Sequence, residues 1–588
     1  MRSASLAARI ALLAIGASFV SPPLHGQQSL PPQKEYFIGE GQVDLHRGTF
    51  LYSHTDISVG PQGAPGGLEF TRYYGVREEV GPFGYGASHN FDIDLDRMAF
   101  VEEPNGPQMF SYRYTITIGR TSETFEKAYG SSDIYYTDGS GGYHVLVEHG
   151  TDGPYTYYGP DGVVINFGSL SGTGGVVTSV TSSDGTQVNF SRQSGFYLIT
   201  NNHGYGLGVH YGTAGRVTKV CAVNLAAEHV ATACPSNAPA ATYSWGGLNS
   251  AQMLGFTDPT GQTTSYGYDS TLSSIQSPGS ATPDVTLTFH PISGKVFTQT
   301  LANGATWTYH YQTEGQTWWV SERQNAWTEV TNPLGKTIRY EGFGPGGSKP
   351  SKIRDELGRE TTFGFAWAGG GLVNVPARKT EPEGNETRYS YTGGWTKPTE
   401  VRQVAKPGSG LADIVTTATY SVNPSATWPN FACTNPKICD KPLTVTDARG
   451  GTTNFTYDSN HGGVLSEMKP APTAGGPRPL KITNWAQRNA YVKDSSGSLV
   501  QATSPVWVVT SETECQTVAG GSTPVCDNTA PVRVTTLEYP SVPAINALLP
   551  RGSVVTTGGI SRRTCFGYDT LGRKISETTP NANLTSCP

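Results

Sequence analysis

Asp258-Pro259-Thr260-Gly261-Gln262-Thr263-Thr264-Ser265-Tyr266-Gly267-Tyr268-Asp269 reads as a turn followed by a strand. Asp first, Pro second and Gly fourth suit a type I turn closed by a residue of positive φ. Such a turn is a common hairpin connection. Beyond it, Thr264, Tyr266 and Tyr268 recur at period two and share one strand face. Counted from Asp258, Gly falls at +3, Thr at +6 and aromatics at +8 and +10. The same offsets return from Asp447 (Gly450, Thr453, Phe455, Tyr457, then Asp458), Glu381 (Gly384, Thr387, Tyr389, Tyr391), Leu301 (Gly304, Trp307, Tyr309, Tyr311) and Asp355 (Gly358, Thr361, Phe363, Phe365). A second turn, Tyr568-Asp569-Thr570-Leu571-Gly572-Arg573, leads into a returning strand that Pro580 ends. The unit is a β-hairpin. One hairpin is not stable alone in water, so successive units must pair and bury a shared aromatic face.

At these residues the chain resembles the RHS or YD-repeat family, whose hallmark is a tyrosine–aspartate pair followed by Gly-Arg. Tyr568 to Arg573 and the run 258–269 carry the resemblance most closely. Val43 to Thr49, Leu68 to Tyr74, and Gly81 to Gly86 running into His89-Asn90-Phe91 resemble the segment that precedes the repeats in secreted members. The resemblance covers roughly residues 40–588. It implies hairpins wound into a β-strip and a hollow shell that encloses a C-terminal toxin, in proteins of bacterial competition, adhesion or surface display. Neither the family's Asp-Pro-x-Gly-Leu core motif nor a toxin-like domain follows the last Tyr-Asp repeat, so self-cleavage and toxicity do not carry over. A fragment, a truncated reading frame and a scaffold without cargo are the alternatives.

Composition agrees with an all-β, exported protein. Gly at 72, Pro at 40 and Tyr at 30 suit turns and strands, and amphipathic helical patterning is scarce. Arg2, Arg9, the apolar stretch 10–20 and Leu24-His25-Gly26 read as a secretory signal, residues 1–26. The stretch is short of the roughly 20 residues that a spanning helix needs, and no transmembrane span is expected elsewhere. A net charge of −6 with 15% charged residues argues against nucleic-acid binding. Eight cysteines fall into sequence neighbours: Cys221 with Cys234, Cys433 with Cys439, Cys515 with Cys526, and Cys565 with Cys587. Local disulfides are expected from an oxidising destination, against free or differently paired thiols. The expected division is an N-terminal β-domain over 27–170 and a repeat array over 171–588, with an irregular insertion near 469–510.

Three clusters invite a chemical reading. His89, Asn90, Asp92, Asp94 and Asp96 could ligate calcium, or the aspartates could line a solvated strand face opposite Phe91, Ile93 and Leu95. Trp318, Trp319 and Trp327 could form a stacking platform for sugars, or pack in a core. Gly204 to Gly208 lacks the helix that a dinucleotide site requires. No zinc-protease, nucleophile-elbow or phosphate-loop motif occurs. The sequence therefore points to a secreted, non-enzymatic scaffold with no cofactor. Its turn glycines are Gly261, Gly304, Gly358, Gly384, Gly450 and Gly572. Its corners are Tyr268-Asp269, Tyr457-Asp458 and Tyr568-Asp569. The alternatives are a carbohydrate-binding surface protein facing a cell envelope, or the front of a polymorphic toxin whose cargo lies beyond Pro588.

Overall fold

A computed structural model describes residues 41–587, apart from 62–65, 76–79, 102–109, 120, 128–133, 137–143, 160–161, 248–250, 313–326, 344–348, 369–372, 392–396, 422–434 and 583. Residues 1–26, expected to be a signal, and Trp318, Trp319 and Cys433 lie outside the described residues. The architecture is all-β. Among the described residues helix is limited to short 3-10 turns such as Thr213–Gly215 and Pro580–Ala582. None is long and apolar enough to cross a membrane.

The body of the chain is one long antiparallel strip. From Gln187–Gln193 to Lys574–Glu577 each strand pairs with the next, so neighbours in sequence are neighbours in the sheet. The exception is a hairpin, Tyr491–Lys493 with Leu499–Gln501, that leaves the sheet. Around it Pro479–Arg488 and Val506–Gln516 pair directly, from Pro479↔Gln516 to Arg488↔Val506. Alternation gives the strip two unlike faces. Between residues 327 and 404 one face carries Glu329, Arg339, Glu341, Arg354, Glu360, Glu386, Arg388 and Arg402, with ion pairs such as Arg354–Glu360. The other carries Val330, Tyr340, Ile353, Phe363, Tyr389 and Val401.

Residues before the strip form two packing groups. Tyr52–Val59, Leu68–Tyr74 and Ala87–His89 make a small sheet. Its Ile57, Val59, Leu68 and Phe70 share a core with Tyr205, Tyr266, Tyr309, Val330 and Phe343 of the strip. The strip thus wraps around this segment. Strands between Ile93–Val101 and Gly174–Thr181 instead surround a core of their own, with Leu95, Tyr114, Ile116, Phe125, Tyr155 and Phe167 at its centre. Gly174–Thr181 joins the parts: Gly174 pairs with Asp96 at one end and Thr181 with Gln187 at the other.

The strip coils back on itself. Thr570 and Asn546, late in the chain, meet Asn224 and Tyr205 near its beginning: Asn224 Nδ2 donates to Thr570 O at 2.7 Å, and Tyr205 Oη donates to Asn546 Oδ1 at 3.1 Å. Further along, Trp507 N donates to Asp184 O and Lys493 N to Leu225 O. One edge of the strip therefore abuts the opposite edge one turn later.

Candidate functional site

The repeating turn is built by its first side chain. Asp258 Oδ1 accepts from the N–H of Thr260 and of Gln262, at 2.8 and 2.9 Å. Asp355, Asp447, Asp494 and Asp569 accept the same two N–H groups of their own turns, and Asn332 does so with its amide oxygen. The fourth residue then donates its N–H to the first carbonyl, as Gly261 does to Asp258 O at 3.0 Å. Gly261, Gly304, Gly358, Gly384, Gly450 and Gly572 sit there with φ of 86, 81, 77, 80, 79 and 79°, a conformation that costs any residue with a Cβ. The residues that flank each turn are also paired. Thr257 with Thr263, Thr331 with Thr337 and Thr446 with Thr452 share hydroxyl hydrogen bonds, and Arg354 with Glu360 closes its turn by an ion pair. Where Arg follows the Gly, as at Arg359 and Arg573, its Nε returns to the turn's own carboxylate at 2.8 and 2.6 Å.

The tyrosine at +10 has a different task. A β-bulge precedes it in each of Thr263–Asp269, Thr452–Tyr457 and Ile560–Tyr568, and a bulge re-aims the side chain that follows. Tyr268 Oη then donates to Met253 O, Tyr457 Oη to Pro442 O and Tyr391 Oη to Pro376 O, each fifteen residues back in the preceding strand. Tyr568 reaches Pro550 O at 3.0 Å, and burial pushes its phenol up to about 12. The tyrosines thus lock the two strands on either side of each turn together, as donors. Their aspartate partners differ. Asp458 and Asp569 cap turns, whereas Asp269 pairs with Thr271 across Ser270, which has φ of 60°. The hydroxyl-to-carbonyl lock escaped the sequence reading; the recurrence of Pro fifteen residues before Tyr391 and Tyr457 was its only trace.

Arg72 fastens the wrapped segment to the strip. It is fully enclosed, its Nε 2.5 Å and its Nη2 2.9 Å from the two Asp56 oxygens. His54 and Tyr243 complete the carboxylate's partners, and the guanidinium lies 5.1–5.6 Å from the centres of Phe83, Tyr243, Phe256 and Tyr266. Burial alone would raise the Asp56 carboxyl; Arg72, His54 and Tyr243 outweigh it and hold it below the usual carboxylate range. No sequence pattern announced this pair, because its members meet only after the small sheet has formed.

The other expected sites are dispersed. Phe91, Ile93 and Leu95 are buried and Asp96 is exposed, while Asp92 accepts from Ser88 at 2.7 Å. His89 packs on Phe70. Among the described residues no three side chains are grouped to hold a metal ion. Trp327 lies 4.3 Å from the Arg339 guanidinium. Disulfides join Cys221 to Cys234, Cys515 to Cys526 and Cys565 to Cys587. A cleft of 360 Å³ opens between the wrapped segment and the strip, lined by Tyr74, Tyr85, Gln252, Tyr268 and Ser270.

The family model Domain of unknown function (DUF6531) matches residues 40–109, which include the wrapped segment. No curated protein matches the sequence. Among solved structures the chain is similar to the Tc holotoxin pore of Photorhabdus luminescens, at 10% identity and a TM-score of 0.30 over 83% of this chain and 27% of that one. It is also similar to TcdB2–TccC3 without its hypervariable C-terminal region, at 11% identity and a TM-score of 0.34 over 87% and 32%. The chain spans about a third or less of the length of these structures.

Proposed function

We propose that this chain is a secreted, non-enzymatic scaffold of the RHS/YD-repeat kind, whose strip forms a wall that displays or partly encloses another molecule. The observation that carries this reading is the seam between successive turns of the strip, where Asn546, Asp569 and Thr570 meet Tyr205 and Asn224. A strip that only presented hairpins would not need its edges joined. The disulfides among the described residues suit an oxidising, extracellular setting. The chemistry of such a wall is geometric: turns that cap themselves, tyrosines that tie neighbouring strands, and two faces of opposite character.

The test compares the two faces. Single cysteines at Arg388 on the charged face and Tyr389 on the apolar face are exposed to a bulky maleimide on the secreted, folded protein. Enclosure predicts rapid labelling at Arg388→Cys and slow labelling at Tyr389→Cys. Equal rates sink the enclosing wall, and retention of the protein in the cytoplasm sinks the secreted scaffold.

A second reading, a carbohydrate-binding surface, is favoured by the cleft between Tyr74, Tyr85 and Tyr268. Aromatic rings with a nearby amide suit a neutral sugar ring. Saturable binding of neutral oligosaccharides that is lost in Tyr85→Ala supports it; absence of binding removes it.

A further inference from the structure

Two histidines stand where the turns of the strip meet. His461 lies in the 458–463 turn with its side chain 1% exposed. Its Nδ1 accepts the Gly463 N–H at 3.1 Å, so the ring proton resides on Nε2. That nitrogen has no hydrogen-bond partner; the nearest carboxylate, Asp458, is 3.6 Å away. The rings of Trp485 and Trp507 lie 4.9 and 4.6 Å from the imidazole. Trp507 is itself a seam residue, its N–H donating to Asp184 O at 3.0 Å, beside a bond from Asn202 Nδ2 to Ser504 O.

His203 occupies the other side of the same junction. Its Nε2 lies 2.9 Å from Thr186 Oγ1, and that hydroxyl donates onward to Asp184 Oδ2 at 2.9 Å. The imidazole is therefore the donor to Thr186. Its Nδ1 faces the wrapped segment so closely that a Cβ on Gly66 would fall 2.2 Å from it. Asn201 Nδ2 binds Gly66 O at 2.7 Å. Three parts of the chain thus converge: the wrapped segment, the first turn of the strip and the second.

We propose that this junction is an acid-sensitive latch, in which protonation of His203 and His461 parts the seam and opens the wall along its edges while the hairpins stay folded. The inference rests on the strip being a wall. A second proton would need a place on Nδ1 of each ring, where His461 already accepts Gly463 and His203 meets Gly66. The charge facing His203 is Asp184; burial outweighs it and lowers the imidazole to about 4. Around His461 burial is again the main cause of a lowered value. Lys437 and Lys441 add to it, and Asp458 and Asp184 oppose it.

A seam that holds its histidines neutral is at full strength above the open-state value of about 6.5 and weakens as pH falls toward the closed-state value. For His203 alone the closed-to-open ratio drops about 30-fold at pH 5. The Arg72–Asp56 pair has the opposite window. Its carboxyl is held low, so its contribution persists until pH falls below about 4. Between these limits the seam gives way and the wrapped segment stays.

Hydrogen exchange on the full-length secreted chain, corrected for intrinsic rates, is compared at pH 7.5 and 4.5. Within peptides spanning 199–207, 458–466 and 502–508, the amides of the turns and of Trp507 are expected to be protected at pH 7.5 and to lose that protection at 4.5, while the ladder amides keep theirs. The hairpin 263–276 and strands 52–74 should stay protected at both. The double variant His203→Gln/His461→Phe should keep the seam protected at 4.5, while His210→Gln, away from the junction, opens as the parent does. If the double variant does not fold, His203→Gln alone serves. Unchanged protection of the parent seam between the two values overturns the latch, as does a variant that opens like the parent. A seam unprotected even at pH 7.5 overturns the wall itself.

Discussion

Asp447 shows how much of a hairpin one side chain can organise. Its Oδ1 gathers the N–H groups of Arg449 and Gly451, which would otherwise need solvent. Asn332 does the same work without a charge, so the acceptor oxygen and not the ionisation is what the turn needs. Asp447→Asn is therefore expected to be near neutral, and Asp447→Ala to cost about 1–2 kcal/mol, read from urea unfolding midpoints. The glycines separate two penalties in the same way. A Cβ at Gly358 would meet nothing within 4 Å, so Gly358→Ala costs only the left-handed backbone, about 1–2 kcal/mol. At Gly572 the same Cβ would fall 2.3 Å from Tyr205 Oη, across the seam. Gly572→Ala should lose more than Gly358→Ala in the same assay; equal losses would mean that the seam yields freely.

A hairpin gains permanence from the contacts between its two strands. Tyr457 is a half-buried ring whose hydroxyl finds Pro442 O at 2.8 Å. Tyr457→Phe leaves the ring and removes the bond, at an expected cost of about 1 kcal/mol; a shift indistinguishable from zero would reduce the tyrosine to packing. The sequence displayed the hairpins because turn and strand are local: the Gly at +3 and the alternating residues Thr264 and Tyr266 lie within ten positions. It stopped short at Tyr268, which was read as a corner with Asp269 but set by strict alternation on the face of Thr264 and Tyr266. The bulge after Gly267 breaks that register, and bulges are set by the neighbouring strand. The carboxylate caps were equally hidden, since composition signals an Asp in a turn without saying which N–H groups it accepts.

Across the molecule, contacts join residues hundreds of positions apart, and there the sequence was silent. Arg72 and Asp56 look like ordinary strand residues until the strip closes over them. Removing one partner leaves the other charge buried, so Arg72→Leu is expected to cost about 3–5 kcal/mol and to expose strands 52–74 to limited proteolysis. Proteolysis at the parent's rate would show that the apolar contacts of Ile57 and Phe70 suffice. The expected division at residue 170 likewise could not foresee that residues 43–91 share their core with the strip while 93–177 keep one apart.

The direction of the strands has a mechanical consequence. Backbone hydrogen bonds run from strand to strand along the winding, so the wall resists being pulled out lengthwise at every ladder. Across the winding, turn meets turn through a few side-chain and backbone bonds, such as those of Asn546 and Asn224. Such a material is strong in one direction and weak in the other, as a coiled ribbon is. Under load it would slip between its turns long before it tore through them, and a wall that fails this way can close again with every hairpin intact.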